Sequence, residues 1–322
     1  MTNPKVTVLM TVYNEEKYIR DAVDSVLNQT FPDFELLIVN DASKDSTMTI
    51  LEEYNDPRIR LISNEKNLGC PKSSNKGLKS AKGKYIARLD GDDICFPNRL
   101  KIQYEFMEKH PDIDVLGTST EVINEKGERI AVWRNYFLPE VTYFLLHFRN
   151  CLTHSSVMYK AQFARDIGGY NEDIKWGLDY DFFYRASRSG KLYVIHPILV
   201  KYREITEKIR KKKSGQNFTV EKIVRDNFYS LIGKDIDQTT IEILSKPKFC
   251  NFKNFNLDQI IFALIYFTLI KGKIIKNAPS FLNRHLINPL TSIDYFLQYY
   301  YRQNRELQFH LPSRLKVQLK IE

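Results

Sequence analysis

Residues 5–90 alternate between short apolar runs and segments with helical periodicity, and this alternation limits the fold more than any other feature. The apolar runs have the length and β-branched content of buried strands, and they lie at 5–13, 34–40, 58–63 and 84–90. After the first run, Ile19, Val23 and Val26 recur at the spacing of one helical face, and Asn14 is predicted to cap that helix. Strands that alternate with helices form a parallel sheet with right-handed crossovers. The sequence therefore predicts an α/β fold with a Rossmann-like, mostly parallel sheet and covering helices.

Polar residues stand at or just beyond the end of each of these strands. They are Asn14, Asp41, Asn67 and Asp90. In an open parallel sheet the carboxyl ends of the strands share one edge, and ligands bind at that edge. We therefore expect four separate segments to deliver amides and carboxylates to one crevice.

The stretch ARLDGDDICFPNRL, residues 87–100, places Asp90, Asp92 and Asp93 within four positions. Carboxylates this close repel one another, and a divalent cation that also binds a phosphorylated ligand offsets the repulsion. The alternative is a solvated loop or a helix cap. The three other strand ends at the same edge favour the metal site.

Two common nucleotide-binding motifs are missing from the sequence. No Gly-x-Gly-x-x-Gly follows the first strand, and no glycine-rich stretch ends in Lys-Ser or Lys-Thr, which disfavours dinucleotide dehydrogenases and P-loop ATPases. The net charge of +9 suggests an anionic partner. Nucleic acid is the weakest candidate, because the predicted crevice is itself acidic.

The rest of the chain is predicted to divide near residue 205. Strands are expected at 112–119, 128–133, 154–159 and 191–197, and helices at 140–148 and 178–190. The charged stretch 203–216 shows no core pattern, and amphipathic helices are expected beyond it. We therefore predict a domain over 1–205, with halves 1–110 and 111–205, and a helical C-terminal extension over 206–322.

The sequence favours a cytoplasmic protein. The four cysteines have neither metal-ligand nor redox spacing, and the N-terminus does not resemble a signal peptide. The most apolar window, 260–270, is shorter than the roughly 20 residues that span a bilayer. Basic residues flank this window, so it suits either an anionic membrane surface at the inner face of the plasma membrane or packing against the first domain. These are Lys271, Lys273, Lys276 and Arg284.

Five stretches, in order, resemble the family 2 glycosyltransferases, which have the GT-A fold. They are VTVLMTVYNEEKYIRDAVDSVLNQT, LLIVNDASKDST, NLGCPKSSNKGL, LDGDD between GKYIA and PNRL, and HSSVMY followed by IGGYNEDIKWGLDYDFFYR. Together they cover about residues 5–205. The resemblance implies a catalytic domain over 1–205, with a nucleotide-sugar half and an acceptor half.

The resemblance also implies roles for individual residues. A nucleotide-diphosphate sugar would lie across the strand ends, with Asp90 at the ribose and Asp92 holding Mg²⁺ or Mn²⁺ on the diphosphate. The other residues expected at the nucleotide-sugar are Thr11, Tyr13, Asn14, Glu15, Asp41, Asn67, Lys72, Asn75 and Gly91. Tyr13, Glu15 and Asp41 would line the base pocket. For Asn75, a structural cap is the alternative to a contact with the nucleotide-sugar.

On the acceptor side the resemblance implies a carboxylate that deprotonates the acceptor hydroxyl, with inversion at the anomeric carbon. Asp179 and Asp181 both qualify. Helical spacing places Asp179 on the apolar face and Asp181 on the other side, where it can form an exposed i, i+4 pair with Arg185. An N-terminal helix cap is the alternative for Asp179. His154, Gly169 and Trp176 are also expected at the acceptor, although a buried histidine, a turn glycine and a hydrophobic anchor suit them too.

Several positions depart from the family pattern. Ser73, Ser74 and Asn75 stand where Ala-Arg-Asn is common, so the arginine contact to phosphate is either replaced by Lys72 or Lys76 or lost. Leu178 replaces the glutamate of the family's Glu-Asp pair, and Glu204 stands where many members have a histidine.

The sequence thus predicts a metal-dependent, inverting glycosyltransferase, with a UDP-sugar as the favoured donor. The expected acceptor is a glycan or a lipid-linked molecule in bacterial surface-polysaccharide synthesis. The alternative is a non-catalytic sugar-nucleotide-binding or assembly protein on the same fold.

Overall fold

The computed structural model describes residues 3–135, 137–245 and 270–282. Within these residues the strands form one nine-stranded sheet in the order β3-β2-β1-β4-β8-β6-β9-β5, with β7 paired to β6. The strands are β1 (Val6–Val12), β2 (Phe34–Asn40), β3 (Ile59–Ser63), β4 (Tyr85–Arg88), β5 (Ile94–Cys95), β6 (Ile113–Ile123), β7 (Arg129–Trp133), β8 (Met158–Lys160) and β9 (Lys191–Arg203).

The first four strands form the parallel half of the sheet, as the alternation predicts. β1 pairs with β2 and with β4, and β2 pairs with β3, all in parallel. Nearly every residue of β1 and β2 is buried, because helices cover both faces of this half. The carboxyl ends of these strands therefore lie at one edge.

The second half of the sheet is mixed. β8 runs antiparallel to β4 and β6, whereas β6 and β9 are parallel. The strand predicted over 154–159 is wrong in its first part, because His154–Ser156 forms a 3₁₀ turn. In that turn the Ser156 hydroxyl donates to the Thr153 carbonyl, which favours a turn over a strand. β9 is longer than predicted and reaches Arg203 through register shifts in its pairing with β6.

Helices cover the sheet on both sides. They are α1 (Ile19–Leu27), α2 (Thr47–Glu52), α3 (Cys70–Ser80), α4 (Arg99–Lys109), α5 (Pro139–Leu146), α6 (Ala161–Asp166), α7 (Leu178–Ser189), α8 (Thr206–Ile232) and α9 (Gln238–Ser245). The sequence did not predict α3, because Ser73, Ser74 and Asn75 occupy its buried face in place of apolar residues. At Gly77 the helix backbone comes so close to Leu9 that any side chain would collide with it.

The C-terminal part packs into the same hydrophobic core as the first domain. The charged stretch predicted to lack a core pattern is helical from Thr206 onward. Further along α8, Phe228 is fully buried and its ring packs edge-on against Phe148, with 5.4 Å between the ring centroids. The domain boundary near residue 205 stays a prediction. One hydrophobic core contains residues from both sides of that position.

Residues 270–282 also contribute to this core. Ile270 and Ile274 are fully buried in it, whereas Lys273 and Lys276 are exposed. This end of the predicted apolar helix thus packs against the protein body. Residues 260–269 and Arg284 lie outside the described part of the chain. Among the helices that the structure describes, none has the length and apolar content needed to cross a membrane.

Candidate active site

The ends of β1 and β4 meet closely at the carboxyl edge of the sheet. A Cβ placed on Gly91 would lie 2.9 Å from Cγ1 of Val12 and 3.3 Å from Cγ of Glu15. Only glycine lets the acidic loop, residues 90–93, approach the end of β1 this closely. The structure therefore brings Glu15 and the acidic loop together, as the strand-end pattern predicts.

Arg88 holds the first carboxylate of the acidic loop. Its Nη2 donates to Oδ1 of Asp90 at 2.6 Å, and its Nη1 donates to the carbonyls of Leu9 and Leu89. Arg88 is fully buried, which by itself lowers its pKa, but the charge of Asp90 together with the smaller effects of Tyr170, Cys70 and Tyr159 outweighs burial and raises the pKa above its ordinary value. A buried guanidinium needs this carboxylate, so the pair fixes Asp90. An arginine inside an otherwise apolar strand is the sequence signal that could have revealed this role of Arg88.

His154 lies beside Asp90, and its predicted contact with the acceptor stays a prediction. Its Nε2 accepts a hydrogen bond from Nε of Arg88 at 3.3 Å and lies 2.9 Å from the Tyr170 hydroxyl. Its Nδ1 lies 3.9 Å from Oδ1 of Asp90. These contacts agree with the alternative that His154 is a buried structural histidine, here one that supports the Arg88–Asp90 pair.

The end of β9 holds the other side of the acidic loop. Arg203 donates from its backbone N–H to Oδ1 of Asp93 and from Nε to the carbonyl of Asp92. Asp93 is fully buried, and its Oδ2 has no hydrogen-bond partner among the described residues. Burial raises the pKa of Asp93 well above its usual range, and the charges of Asp92 and Asp90 raise it further. Asp92 is half-buried at the cleft surface.

Asp41 shapes the loop that follows β3. Its carboxylate accepts hydrogen bonds from Nδ2 of Asn64 and from the backbone N–H groups of Leu68 and Gly69, at 2.8–2.9 Å. Only 2% of Asp41 is exposed. Asn64, and not the exposed Asn67, is therefore the amide that meets Asp41 at this strand end. The predicted base contact of Asp41 stays a prediction, and its observed partners are all within the loop.

Asn14 does not cap α1, which begins five residues later at Ile19. It takes a left-handed conformation with φ of 56°, its backbone N–H donates to the Ser43 hydroxyl, and its Oδ1 accepts from the Lys44 N–H. Asn14 therefore joins the loops after β1 and β2. Next to it, Tyr13 is 40% exposed, as a residue that stacks on a ligand would be.

Asn75 and Gly169 form a structural contact between the two halves of the domain. The Asn75 amide donates to the Tyr170 carbonyl and to Glu172, and its Oδ1 accepts from the Tyr170 N–H. Gly169 has φ of 65°, and a Cβ there would lie 2.5 Å from Oδ1 of Asn75. These contacts agree with the alternatives that Asn75 has a structural role and that Gly169 is a turn glycine. Nearby, the Thr11 hydroxyl lies 3.3 Å from the Ser74 hydroxyl. Lys72 is exposed.

Asp179 and Asp181 take different environments in the first turn of α7. Nδ2 of Asn150 donates to Oδ2 of Asp179, which is half-buried. The N-cap of α7 is Gly177, so Asp179 is not the helix cap. Asp181 pairs with Arg185 as predicted, at 2.8 Å. The pair is less exposed than predicted, because Arg185 also donates to the carbonyls of Ile167 and Gly169.

Tyr202 connects the acidic loop with Asp179. Burial raises the pKa of Tyr202, and the charges of Asp93, Asp92, Asp90 and Asp179 raise it further, in that order. All four carboxylates thus lie within electrostatic range of one phenol, so the acidic loop and Asp179 lie near each other. Among the residues described, no three His, Cys, Asp or Glu side chains form a group that could hold a metal ion alone. Trp176 is half-buried, with the Lys175 amine 6.0 Å from its ring centroid.

Comparisons with known proteins agree on one family. The family model described as Glycosyl transferase family 2 matches residues 7–167. An uncharacterized glycosyltransferase from Methanocaldococcus jannaschii is 33% identical over 296 residues, which are 89% of this chain and 94% of that protein. Chondroitin synthase from Escherichia coli is 29% identical over 262 residues, which are 79% of this chain but only 35% of that protein.

Among solved structures, S. aureus TarS 1–349 in complex with UDP-GlcNAc has the same fold. The TM-score is 0.62 at 22% sequence identity, and the match covers 94% of this chain and 88% of that one.

Proposed function

This chain belongs to glycosyl transferase family 2 and has its GT-A fold, and from that premise we propose that it moves a sugar from a UDP-sugar to a hydroxyl of a glycan or lipid-linked acceptor, with inversion. The observation that carries the proposal is that Asp90, Asp92, Asp93 and Asp179 all lie within electrostatic range of Tyr202. We infer that the acidic loop and Asp179 face one cleft, in which the loop holds the donor and Asp179 takes the proton.

The donor set of the acidic loop suits a hard divalent cation such as Mg²⁺ or Mn²⁺. Mg²⁺ is ordinarily held by one or two carboxylates together with substrate phosphates. Asp90 is paired with Arg88 and Asp93 is fully buried, whereas Asp92 is half-buried at the cleft surface. We therefore assign Asp92 as the metal ligand. When bound, the ion would neutralise charge on the diphosphate.

The protein's own residues supply the proton transfer and the geometry of attack. Asp179 takes the proton from the acceptor hydroxyl, and the resulting oxygen attacks the anomeric carbon from the face opposite the leaving group. The bond from the anomeric carbon to the diphosphate oxygen breaks as the new glycosidic bond forms, and UDP leaves. Arg88 and Arg203 hold the acidic loop from its two sides, so that it is ordered before the donor binds.

Uridine is the proposed base because the fold neighbour TarS was crystallised with UDP-GlcNAc and with UDP. The test is an isothermal calorimetric titration of the protein with UDP, GDP, dTDP and CDP, each with and without Mg²⁺. We expect UDP to bind most tightly and only with the metal. Tightest binding of GDP refutes the uridine assignment.

Hydrolysis of the UDP-sugar distinguishes an enzyme from a non-catalytic binding protein. A family 2 enzyme with an intact base should slowly hydrolyse its UDP-sugar with water as the acceptor. We expect UDP release from at least one of a panel of UDP-sugars, at a rate that falls when EDTA removes the metal. Tight binding of every donor with no release would favour the binding protein.

Bacterial surface-polysaccharide synthesis on the cytoplasmic side of the plasma membrane is the proposed setting. The E. coli relative named chondroitin synthase supports a polysaccharide product. Flotation of the full-length protein with anionic liposomes tests the membrane contact. A protein that stays wholly in the soluble fraction at low salt contradicts it.

A further inference from the structure

Trp133, the last residue of β7, is an exposed tryptophan that the proposed function leaves without a role. Its side chain is 40% exposed, and its ring packs on Tyr202 with 5.3 Å between the ring centroids and 34° between the planes. Tryptophan is buried on average in folded proteins, so a ring exposed on one side and supported on the other suggests a binding surface.

The sheet register places Trp133 on the face that leads to the cleft. Thr120 of β6 pairs with Trp133, and Val122 pairs with Tyr202. Paired residues and residues two positions apart share one face of a sheet, so all four lie on the same face. On that face the Thr120 hydroxyl donates to the Thr153 hydroxyl, and Thr153 directly precedes the 3₁₀ turn that contains His154.

Tyr202 supports the Trp133 ring from the catalytic side. The same phenol lies within the electrostatic influence of Asp90, Asp92, Asp93 and Asp179. Arg203, the residue after Tyr202, donates to Asp93 and to the carbonyl of Asp92, so the aromatic pair lies directly beside the acidic loop. A group resting on Trp133 would extend toward these carboxylates.

We propose that Trp133 is a stacking platform for a sugar ring of the acceptor, and hence that the acceptor carries a glycan. This inference rests on the proposed function. One face of a pyranose presents a patch of C–H groups, which complements the electron-rich face of an indole, while the sugar hydroxyls stay in water. Because Tyr202 already packs against the indole, little side-chain freedom is lost on binding.

The chain contains two tryptophans, Trp133 and Trp176, which allows a direct spectroscopic test. In Trp176→Phe, all tryptophan emission comes from Trp133. We would titrate this variant with short oligosaccharides of glucose, galactose and N-acetylglucosamine, in the presence of UDP and Mg²⁺. A saturable change in emission with at least one sugar is expected. Unchanged emission with every sugar of the panel overturns the proposal.

Transfer kinetics with the sugar that binds provide the second measurement. Trp133→Ala should raise the acceptor KM roughly two- to twelvefold, the range for one aromatic contact, while UDP affinity stays unchanged. Trp133→Phe should raise it less, because a smaller ring remains. The matched control is Ile130→Ala, which truncates another exposed apolar residue of the same strand, 53% exposed. An equal effect of Ile130→Ala, or no effect of Trp133→Ala, contradicts the platform.

The two proposals fail in different ways. A wild-type protein that neither binds UDP nor releases it from a UDP-sugar contradicts the proposed function itself. Wild-type UDP binding and release, together with an acceptor KM that does not respond to Trp133→Ala, contradicts the sugar platform alone.

Discussion

The side-chain amide of Asn150 donates a 2.8 Å hydrogen bond to Oδ2 of Asp179. This bond orients the carboxylate in the first turn of α7. By contrast, Asp181, two residues later, is engaged by Arg185 and is 16% exposed in its side chain. The two neighbouring carboxylates therefore have different partners, and substitutions can test them separately.

Asp179→Asn should bind UDP normally but transfer sugar about 10²–10⁴-fold more slowly, because an amide cannot accept the acceptor proton. Asp181→Asn is the matched control. It should keep its activity but melt at a lower temperature, since Arg185 would lose its carboxylate at the 167–169 turn. Steady-state kinetics and thermal melts check both variants. A reversed pattern would move the base to Asp181.

Asp92→Asn should lose the Mg²⁺-dependent part of UDP affinity. The backbone carbonyl of Asp92 is held by Arg203, so the side-chain change should leave the loop in place. Asp21→Asn is the control, because Asp21 also contacts Arg203, at 3.3 Å, but does not belong to the acidic loop. UDP at about 100 times its Kd stabilises a protein by about 2.7 kcal/mol, which thermal melts detect. If Mg²⁺ still enhances UDP binding to Asp92→Asn as in wild type, the metal assignment is wrong.

Arg88→Met should destabilise the fold by about 1–3 kcal/mol, because the carbonyls of Leu9 and Leu89 lose a buried donor, whereas Asp90 is 35% exposed and stays solvated. UDP affinity should fall as well, since Asp90 would lose its anchor. The control is Arg20→Met. Arg20 and Glu53 also form an ion pair at 2.6 Å, but with both side chains about half exposed. Solvent screens that pair, so its loss should change stability little. Denaturant unfolding measures both, and equal losses would contradict the argument from burial.

Sequence patterns identified the parallel half of the sheet and the position of the acidic loop, because both follow from local order along the chain. Buried strands read as apolar runs, and the residues just after them share an edge whatever the rest of the fold does. The pairing of Asp181 with Arg185 was predictable for the same reason, since a helix fixes the i, i+4 spacing.

The partners of the site residues were not predictable, because they are distant in sequence. Arg88 meets His154 across 66 residues, and Asn75 meets Tyr170 across 95. Such contacts depend on the way β8 inserts beside β4 and on the turn after α6. These contacts give Asn75 structural partners, and its predicted contact with the nucleotide-sugar stays a prediction.

His147 gives the fold a sensitivity to acid that is independent of the cleft. The imidazole is fully buried, Nδ1 donates to the Tyr143 carbonyl at 2.9 Å, and the ring packs edge-on against Tyr184. Burial, opposed by the Tyr143 carbonyl and assisted by the charge of Arg188, lowers the pKa of His147 from 6.5 to about 4. The folded protein therefore resists protonation that the unfolded chain accepts.

Because the pKa of His147 is lower in the folded protein than in the unfolded chain, the free energy of unfolding falls as the pH falls. The contribution of neutral His147 is fully present above pH 6.5, and it is lost as the pH falls from 6.5 through about 4, because only the unfolded chain takes up the proton in that window. The loss approaches 1.4 kcal/mol per pH unit and sums to about 3 kcal/mol. In His147→Phe, which cannot be protonated, the slope of unfolding free energy against pH should be shallower in this window. His110→Gln is the control, because it also removes a histidine but at an exposed position outside the core. Denaturant titrations between pH 4 and 7.5 measure all three proteins, and a slope that His147→Phe leaves unchanged would assign the acid sensitivity to other groups.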